Sequence, residues 1–235
     1  MGRLIYNLFL PLYLLVSLPG LLVKMRRRGG YGAHFWQRFG RYDRVTRAVL
    51  ADRNPSWWLH AVSVGEVLIA LKLIERIRHR LPKQRLILST TSSTGYMTAC
   101  DKAPAEVCVI YNPVDLPGVV QRVLRVLRPS IVVLMESELW PNLIAAASKR
   151  GIPVLIANAR LSPRSGRRYA RFRCLTSATL NQLTAVLTQD VEDTERWTAT
   201  GLARDKIFCV GSIKFDPVAH QSPNEDQLGV LRAIL

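Results

Sequence analysis

From Pro55 onward, short apolar or β-branched runs alternate with stretches in which apolar residues recur every three or four positions. The runs at 57–62, 85–90, 106–111, 130–135, 153–158, 184–188 and 206–210 have the length and composition of buried strands. Between them lie amphipathic helices. In 66–80, for example, Val67, Ala70, Leu71, Ile74 and Ile77 share one face. Strands that alternate with helices predict an α/β fold, a doubly wound, mostly parallel Rossmann-like sheet with helices on both faces. No internal repeat or low-complexity tract interrupts the pattern.

The polar clusters fall in register with it. SVGE (63–66), TTSSTG (90–95), NPVD (112–115), ESE (136–138), ARLS (159–162), QD (189–190) and GSIKFD (211–216) each follow a predicted strand directly. In a parallel sheet these loops all emerge at the carboxyl ends of the strands, the edge where ligands of open α/β folds bind. The chemistry of the chain is therefore expected on one rim.

The first 54 residues differ in character. Residues 4–23 carry no formal charge and are long enough to cross about 30 Å of hydrocarbon as a helix. Lys24, Arg26, Arg27 and Arg28 follow, which places the downstream side in the cytoplasm by the positive-inside rule. Pro11 and Pro19 leave a shallow, interfacial insertion as a second reading. A cleaved signal peptide is the third, disfavoured because the basic run lies on the wrong side of the apolar stretch. The expected division is a membrane anchor at 4–23, a basic aromatic juxtamembrane segment at 24–54, a Rossmann-like domain at 55–217, and a linker or the start of a further domain at 218–235.

Charge sharpens this picture. The chain has 33 lysines and arginines against 17 aspartates and glutamates, a net charge of +16, which calls for an anionic partner. Residues 24–53 hold nine basic and two acidic side chains, and residues 160–173 hold six arginines and no acid. In the first patch Arg38 and Arg41 are interleaved with Phe35, Trp36 and Phe39, a mixture suited equally to lipid headgroups and to a solvated amphipathic helix packed on the domain. With an apolar segment just upstream, a lipid phosphate is the more economical anion than nucleic acid. Cys100, Cys108, Cys174 and Cys209 show no CxxC pairing and read as reduced packing residues. The four histidines have no metal-ligand spacing, so no metal site is expected.

Three motifs carry candidate chemistry. Ser63, Gly65 and Glu66 match a capping box, and a carboxylate at a helix N-terminus also suits a base that stays ionised at neutral pH. Ser92, Ser93, Thr94 and Gly95 form a hydroxyl-rich strand-to-helix turn able to hold phosphate or sugar oxygens, although ordinary helix capping accounts for much of it. Neither GxxxxGK[ST] nor GxGxxG is present, which argues against a P-loop enzyme and a nicotinamide or flavin enzyme. Glu136 and Glu138 end an almost wholly apolar strand, a placement that is costly without nearby cations such as Arg160 and Arg164.

HAVSVGE (60–66), MESELWPNLI (135–144), IANARLSPRS (156–165) and GSIKFD (211–216), in this order and near these separations, resemble the bacterial 3-deoxy-D-manno-octulosonic acid (Kdo) transferases of lipopolysaccharide synthesis. YGAHFWQRFG (31–40), STTSSTGY (89–96) and YNPVDLP (111–117) add to the likeness. The resemblance implies an inner-membrane, metal-independent, inverting glycosyltransferase of the GT-B fold, working at the cytoplasmic face. It would move Kdo from CMP-Kdo onto a lipid A precursor, lipid IVA. It implies Glu66 as general base, with Glu136 and Lys214 as transition-state stabilisers. Ser63, Gly65, Ser92, Ser93, Thr94, Gly95, Glu138, Asn158, Arg160, Arg164, Arg38 and Arg41 are the substrate-binding candidates. Members of that family are roughly twice this length, and a second Rossmann-like domain supplies most contacts to CMP. The 235 residues are therefore expected to form the acceptor half and not to turn over CMP-Kdo alone. The competing reading is a non-catalytic, membrane-attached module that binds anionic lipid.

Overall fold

The computed structural model describes residues 2–28, 34–52 and 54–215. In chain order the elements are α1 (Gly2–Arg28), a 3-10 turn (Phe35–Phe39), α2 (Arg44–Leu50), β1 (Ser56–Ala61), α3 (Val64–Arg80), β2 (Arg85–Thr90), α4 (Ser93–Lys102) and β3 (Cys108–Tyr111). Then come α5 (Pro117–Leu127), β4 (Pro129–Met135), α6 (Pro141–Ser148), β5 (Val154–Ala159), α7 (Pro163–Arg171), α8 (Arg173–Leu180), β6 (Ala185–Thr188), α9 (Val191–Ala199), β7 (Ile207–Cys209) and a last 3-10 turn (Ile213–Phe215). The expected linker at 218–235, Asp216 and Tyr31 lie outside the described residues.

All seven expected strands form, and every pairing is parallel. Their order is β3-β2-β1-β4-β5-β6-β7. The chain builds outward from β1 through β2 to β3, then returns to the other side of β1 and builds outward again from β4 to β7. This reversal is the topological switch point, and it opens a crevice between the loops that follow β1 and β4. The one boundary that moves appreciably is that of β3, which starts at Cys108 instead of 106. The Val107 amide closes a turn onto the Pro104 carbonyl (2.9 Å) and withdraws the preceding residues from the sheet.

Alternate strand residues feed two cores. On one face Trp58, Ile87, Val132, Leu134, Ile156 and Val186 pack with residues of α5, α6, α8 and α9. On the other face Leu59, Leu88, Val133, Met135 and Ala157 meet Val67, Ala70, Ile74 and Ile77 of α3 and Ala99 of α4. Burial on both sides is why β4 reads as an unbroken apolar run, with fully buried side chains of this kind each contributing about 1.5–3 kcal/mol.

Helix α1 departs from the expected membrane span. Among the described residues, no helix is long and apolar enough to cross a membrane. Pro11 and Pro19 sit inside α1 without ending it. The helix lies against α8 and α6, approaching so closely that a Cβ on Gly2 would stand 1.9 Å from the Leu175 carbonyl oxygen. Leu10 is buried, and the side-chain amides of Asn7 and Asn142 exchange two hydrogen bonds of 3.1 and 2.6 Å. Leu4, Leu8, Phe9, Leu12, Leu15 and Val16, away from the seam, are exposed. Because the Asn7–Asn142 pair is half-buried, Asn7→Ala should lower the unfolding free energy by about 1–2 kcal/mol and speed amide exchange in the first turns of α1. Unchanged exchange there would mean that the amide pair does not hold the helix.

Candidate functional site

The loop after β1 is organised by a reciprocal cap. Ser63 Oγ accepts the Glu66 amide (3.3 Å) and donates to Glu66 Oε1 (2.8 Å), while Glu66 Oε2 accepts the Val62 amide (2.9 Å). The carboxylate is 8% exposed, so it is nearly buried yet satisfied at both oxygens. Gly65 beside it is exposed with an ordinary backbone. A Cβ there would meet only Ser63 Oγ, at 3.9 Å, so nothing within the protein requires glycine at this point of the rim.

The loop after β4 carries the two other carboxylates. Glu136 is left-handed (φ 57°), a conformation that costs a residue with a Cβ about 1–2 kcal/mol. Its amide donates to the Ala157 carbonyl of the neighbouring strand (3.0 Å), which holds it in that state. Burial, and then the Glu66 charge, raise the Glu136 carboxyl above the usual range against the opposing pull of Arg160. Glu138 is pushed up to about 7, by burial first and then by Glu66 and Glu136. The Glu66 charge acts on both Glu136 and Glu138, so the three carboxylates gather at the switch point, with Arg160 as a nearby cation. Glu136 also borders a cavity of about 450 Å³ together with Arg160, Ser162, Ser165, Asp190 and Arg196, whereas Glu66 and Glu138 do not line it. Among the described residues, no group of three or more His, Cys, Asp or Glu side chains is arranged to hold a metal ion.

The loop after β4 is braced from two directions that local sequence pattern does not reveal. Helix α6 has no side-chain cap from its own preceding residue, Trp140. Asp115, 27 positions before Asn142, caps it instead, accepting from the amides of Asn142 (2.9 Å) and Leu143 (2.8 Å). Burial pushes the Asp115 carboxyl up to about 6 despite these bonds and one from Tyr6 of α1. On the other side the Trp140 ring stands edge-on to His60 at 5.4 Å. His60 is fully buried beside Ser89, and burial drives its pKa down to about 3, so it packs as a neutral ring.

Several other predicted site residues are taken up by the fold, while the rest stay exposed. Ser92 caps α4 by accepting the Gly95 amide (3.0 Å), Ser93 is buried, and Thr94 alone of that group is exposed. A Cβ on Gly95 would fall 2.6 Å from Thr90 Oγ1, so this glycine serves close packing. Of the two readings of its segment, Arg38 follows the one in which it packs on the domain, and it is interior. It donates to the Thr91 carbonyl (2.6 Å) and covers the Tyr111 ring at 4.6 Å, bracing the hydroxyl-rich loop from behind. Arg41 does remain on the surface, over the exposed Trp36 ring at 5.5 Å. Arg160 and Arg164 are exposed on the rim around the start of α7. Asn158 is buried and left-handed (φ 53°), and its Oδ1 accepts the Ile213 amide at 3.1 Å. Lys214 is exposed on the following turn, and its carbonyl accepts from Lys72 Nζ (3.0 Å).

Comparison with known proteins agrees with this arrangement. The fold is similar to a putative UDP-N-acetylglucosamine 2-epimerase from Listeria monocytogenes (TM-score 0.52, 11% identity, 74% of this chain and 50% of that one). It is also similar to the UDP-GlcNAc 2-epimerase of Neisseria meningitidis (TM-score 0.50, 12% identity, 75% and 50%). At such identities the likeness concerns the doubly wound sheet alone. Sequence relatives are more specific. A 3-deoxy-D-manno-octulosonic acid transferase of Haemophilus influenzae is 34% identical over 159 residues, covering 68% of this chain and 37% of its own. Its counterpart in Chlamydia trachomatis serovar D is 29% identical over 213 residues, covering 89% and 48%. A bifunctional glycosyltransferase/methyltransferase of Fusobacterium nucleatum is 31% identical over 160 residues, covering 67% and 25%. The chain thus spans about half or less of the length of these relatives. The family profile described as 3-Deoxy-D-manno-octulosonic-acid transferase (kdotransferase) matches residues 33–217, and with most of the chain so matched, the protein belongs to the Kdo transferase family.

Proposed function

We propose that this chain is the acceptor-binding, base-bearing half of a Kdo transferase that moves Kdo from CMP-Kdo to a lipid A precursor with inversion. The observation that carries the reading is the meeting of Glu66 and Glu136 at the switch point of a chain that belongs to this family. In the reaction an acceptor hydroxyl gives its proton to Glu66 while its oxygen attacks the anomeric carbon of Kdo. The bond from that carbon to the phosphate oxygen breaks, and its electron pair leaves with CMP. Each Glu66 oxygen accepts one hydrogen bond, which leaves a lone pair on each to take the proton. Gly65 leaves the approach to that carboxylate clear. Lys214 offsets charge on the departing phosphate, and Glu136 faces the positive charge that builds on the sugar. Thr94, Glu138, Arg160 and Arg164 line the acceptor's path, and the remaining donor contacts belong to a second domain. No cofactor or metal takes part in this scheme.

The membrane belongs to the same proposal in its interfacial form. Helix α1 presents Leu4, Leu8, Leu12 and Val16 outward along one flank while its other flank grips α6 and α8, a geometry suited to lying in the inner leaflet. That flank also supports the second reading, a non-catalytic module bound to anionic lipid.

The two readings part on joining the chain to the donor-side half of the H. influenzae relative and assaying Kdo transfer. Glu66→Gln keeps an oxygen for the Val62 amide, so stability should change little while the rate falls by about 10²–10⁴-fold. Full activity in that variant would remove Glu66 as base, and an inert wild-type fusion would favour the lipid module. Glu136→Gly should be more stable than Glu136→Ala by about 1 kcal/mol, because glycine relieves the left-handed backbone, yet both should lose transfer. Equal melting temperatures for the two would show that the strain is not stored at this position.

A further inference from the structure

We propose that Asn158 and Lys72 form a clamp that sets the position of Lys214 relative to the two glutamates, making them positioning residues for the reaction. The inference rests on the role given to Lys214 above and concerns how that lysine is held.

Asn158 is 3% exposed. Its left-handed backbone (φ 53°) is one that asparagine tolerates better than other side chains do. Its carboxamide oxygen accepts the amide of Ile213, 55 residues away, at 3.1 Å, and its carbonyl accepts from Gln189 Nε2 at 3.0 Å. Ile213 is half-buried against the core on the α3 side, so the next residue, Lys214, stands at the rim. From the other direction Lys72 Nζ donates to the Lys214 carbonyl at 3.0 Å. The backbone is therefore gripped on both sides of the Lys214 Cα.

What makes this more than loop packing is where the two grips originate. Lys72 belongs to α3, whose first turn carries Glu66. Asn158 follows Ala157, whose carbonyl holds the left-handed Glu136 through its amide. Lys214 is thereby referenced to the helix of one glutamate and to the strand residue that fixes the other. The lysine lies about 80 positions from Glu136 and 150 from Glu66 in the chain, and without such ties its distance to them would depend on a short exposed turn. Because misplacement by about 1 Å can cost two orders of magnitude in rate, the clamp would act on turnover more than on binding.

The test has two arms. In the 235-residue chain, Asn158→Gly retains a backbone free to be left-handed but has no acceptor, and Lys72→Met retains the stem but has no donor. Each should speed amide exchange across 212–215 by about tenfold or more, with the sheet unchanged. In the chain joined to the donor-side half, both variants should lower kcat by about 10–100-fold with KM for each substrate within about threefold. Asn158→Asp and Lys72→Arg, which restore an acceptor and a donor, should recover most of the loss. Unaltered exchange at 212–215 in both variants overturns the clamp. So does unaltered kcat where Lys214→Ala is inactive. If Lys214→Ala keeps full kcat, the function assigned to Lys214 has failed, and the exchange arm alone decides whether the clamp exists. Lys72 is an exposed side chain, so its variants remain informative even if Asn158→Gly does not fold.

Discussion

A parallel sheet buried on both faces can accommodate almost no charge along its length. Here β1, β4 and β5 are lined on either side by apolar side chains, and His60, the one titratable group in β1, is held neutral by burial. Polar residues are therefore expelled to the strand ends, and the reversal of strand order beside β1 determines which ends converge. Glu66 and Glu136 meet because β1 and β4 are neighbours, although 70 residues separate them in the chain. Everything proposed about catalysis depends on that adjacency.

The rim is built with economy. Glu66 completes the cap of α3 and is also the proposed base. Asp115 caps α6 while joining it to α1 through Tyr6, so the helix facing the proposed membrane surface is bonded to the segment that follows Glu136 and Glu138. Glu136 pays for its location with a left-handed backbone, the kind of local cost that persists where the surroundings over-determine it. Several groups that the amino-acid pattern puts forward as ligands, including Arg38, Ser92 and Gly95, are what hold the rim in shape.

The amino-acid sequence reveals contacts of two kinds well. Strands announce themselves by continuous burial, and all seven form close to their expected limits. Caps made within one turn are legible too, since Ser63 and Glu66 are three residues apart and their spacing is itself the signal. Bonds between elements leave no such mark. Nothing in the chain links Asp115 to the start of α6, or Asn158 to Ile213, because each pairing exists only after the sheet has brought distant loops together. Arg38 is ambiguous for the same reason, as an arginine among aromatics fits a headgroup contact or a packed segment equally until Tyr111 and Thr91 arrive beside it. Residues 4–23 have the length of a membrane span, yet Asn7 pairs with Asn142 of α6 and Leu10 is buried, which periodicity does not disclose.

If the loops after β1 and β4 build one site, the charge of Glu66 reaches Glu136 and Glu138. NMR titration of the glutamate carboxyl carbons, in the chain and in its Glu66→Gln variant, reads that influence. Glu138 should titrate near 7, because burial and its two neighbours oppose its ionisation. Removing the Glu66 charge removes one cause of the upward shift, so the Glu138 midpoint should then fall, and that of Glu136 with it. A Glu138 carboxyl that titrates in the ordinary glutamate range and ignores the substitution would contradict the account, since the loops after β1 and β4 would not then share a site.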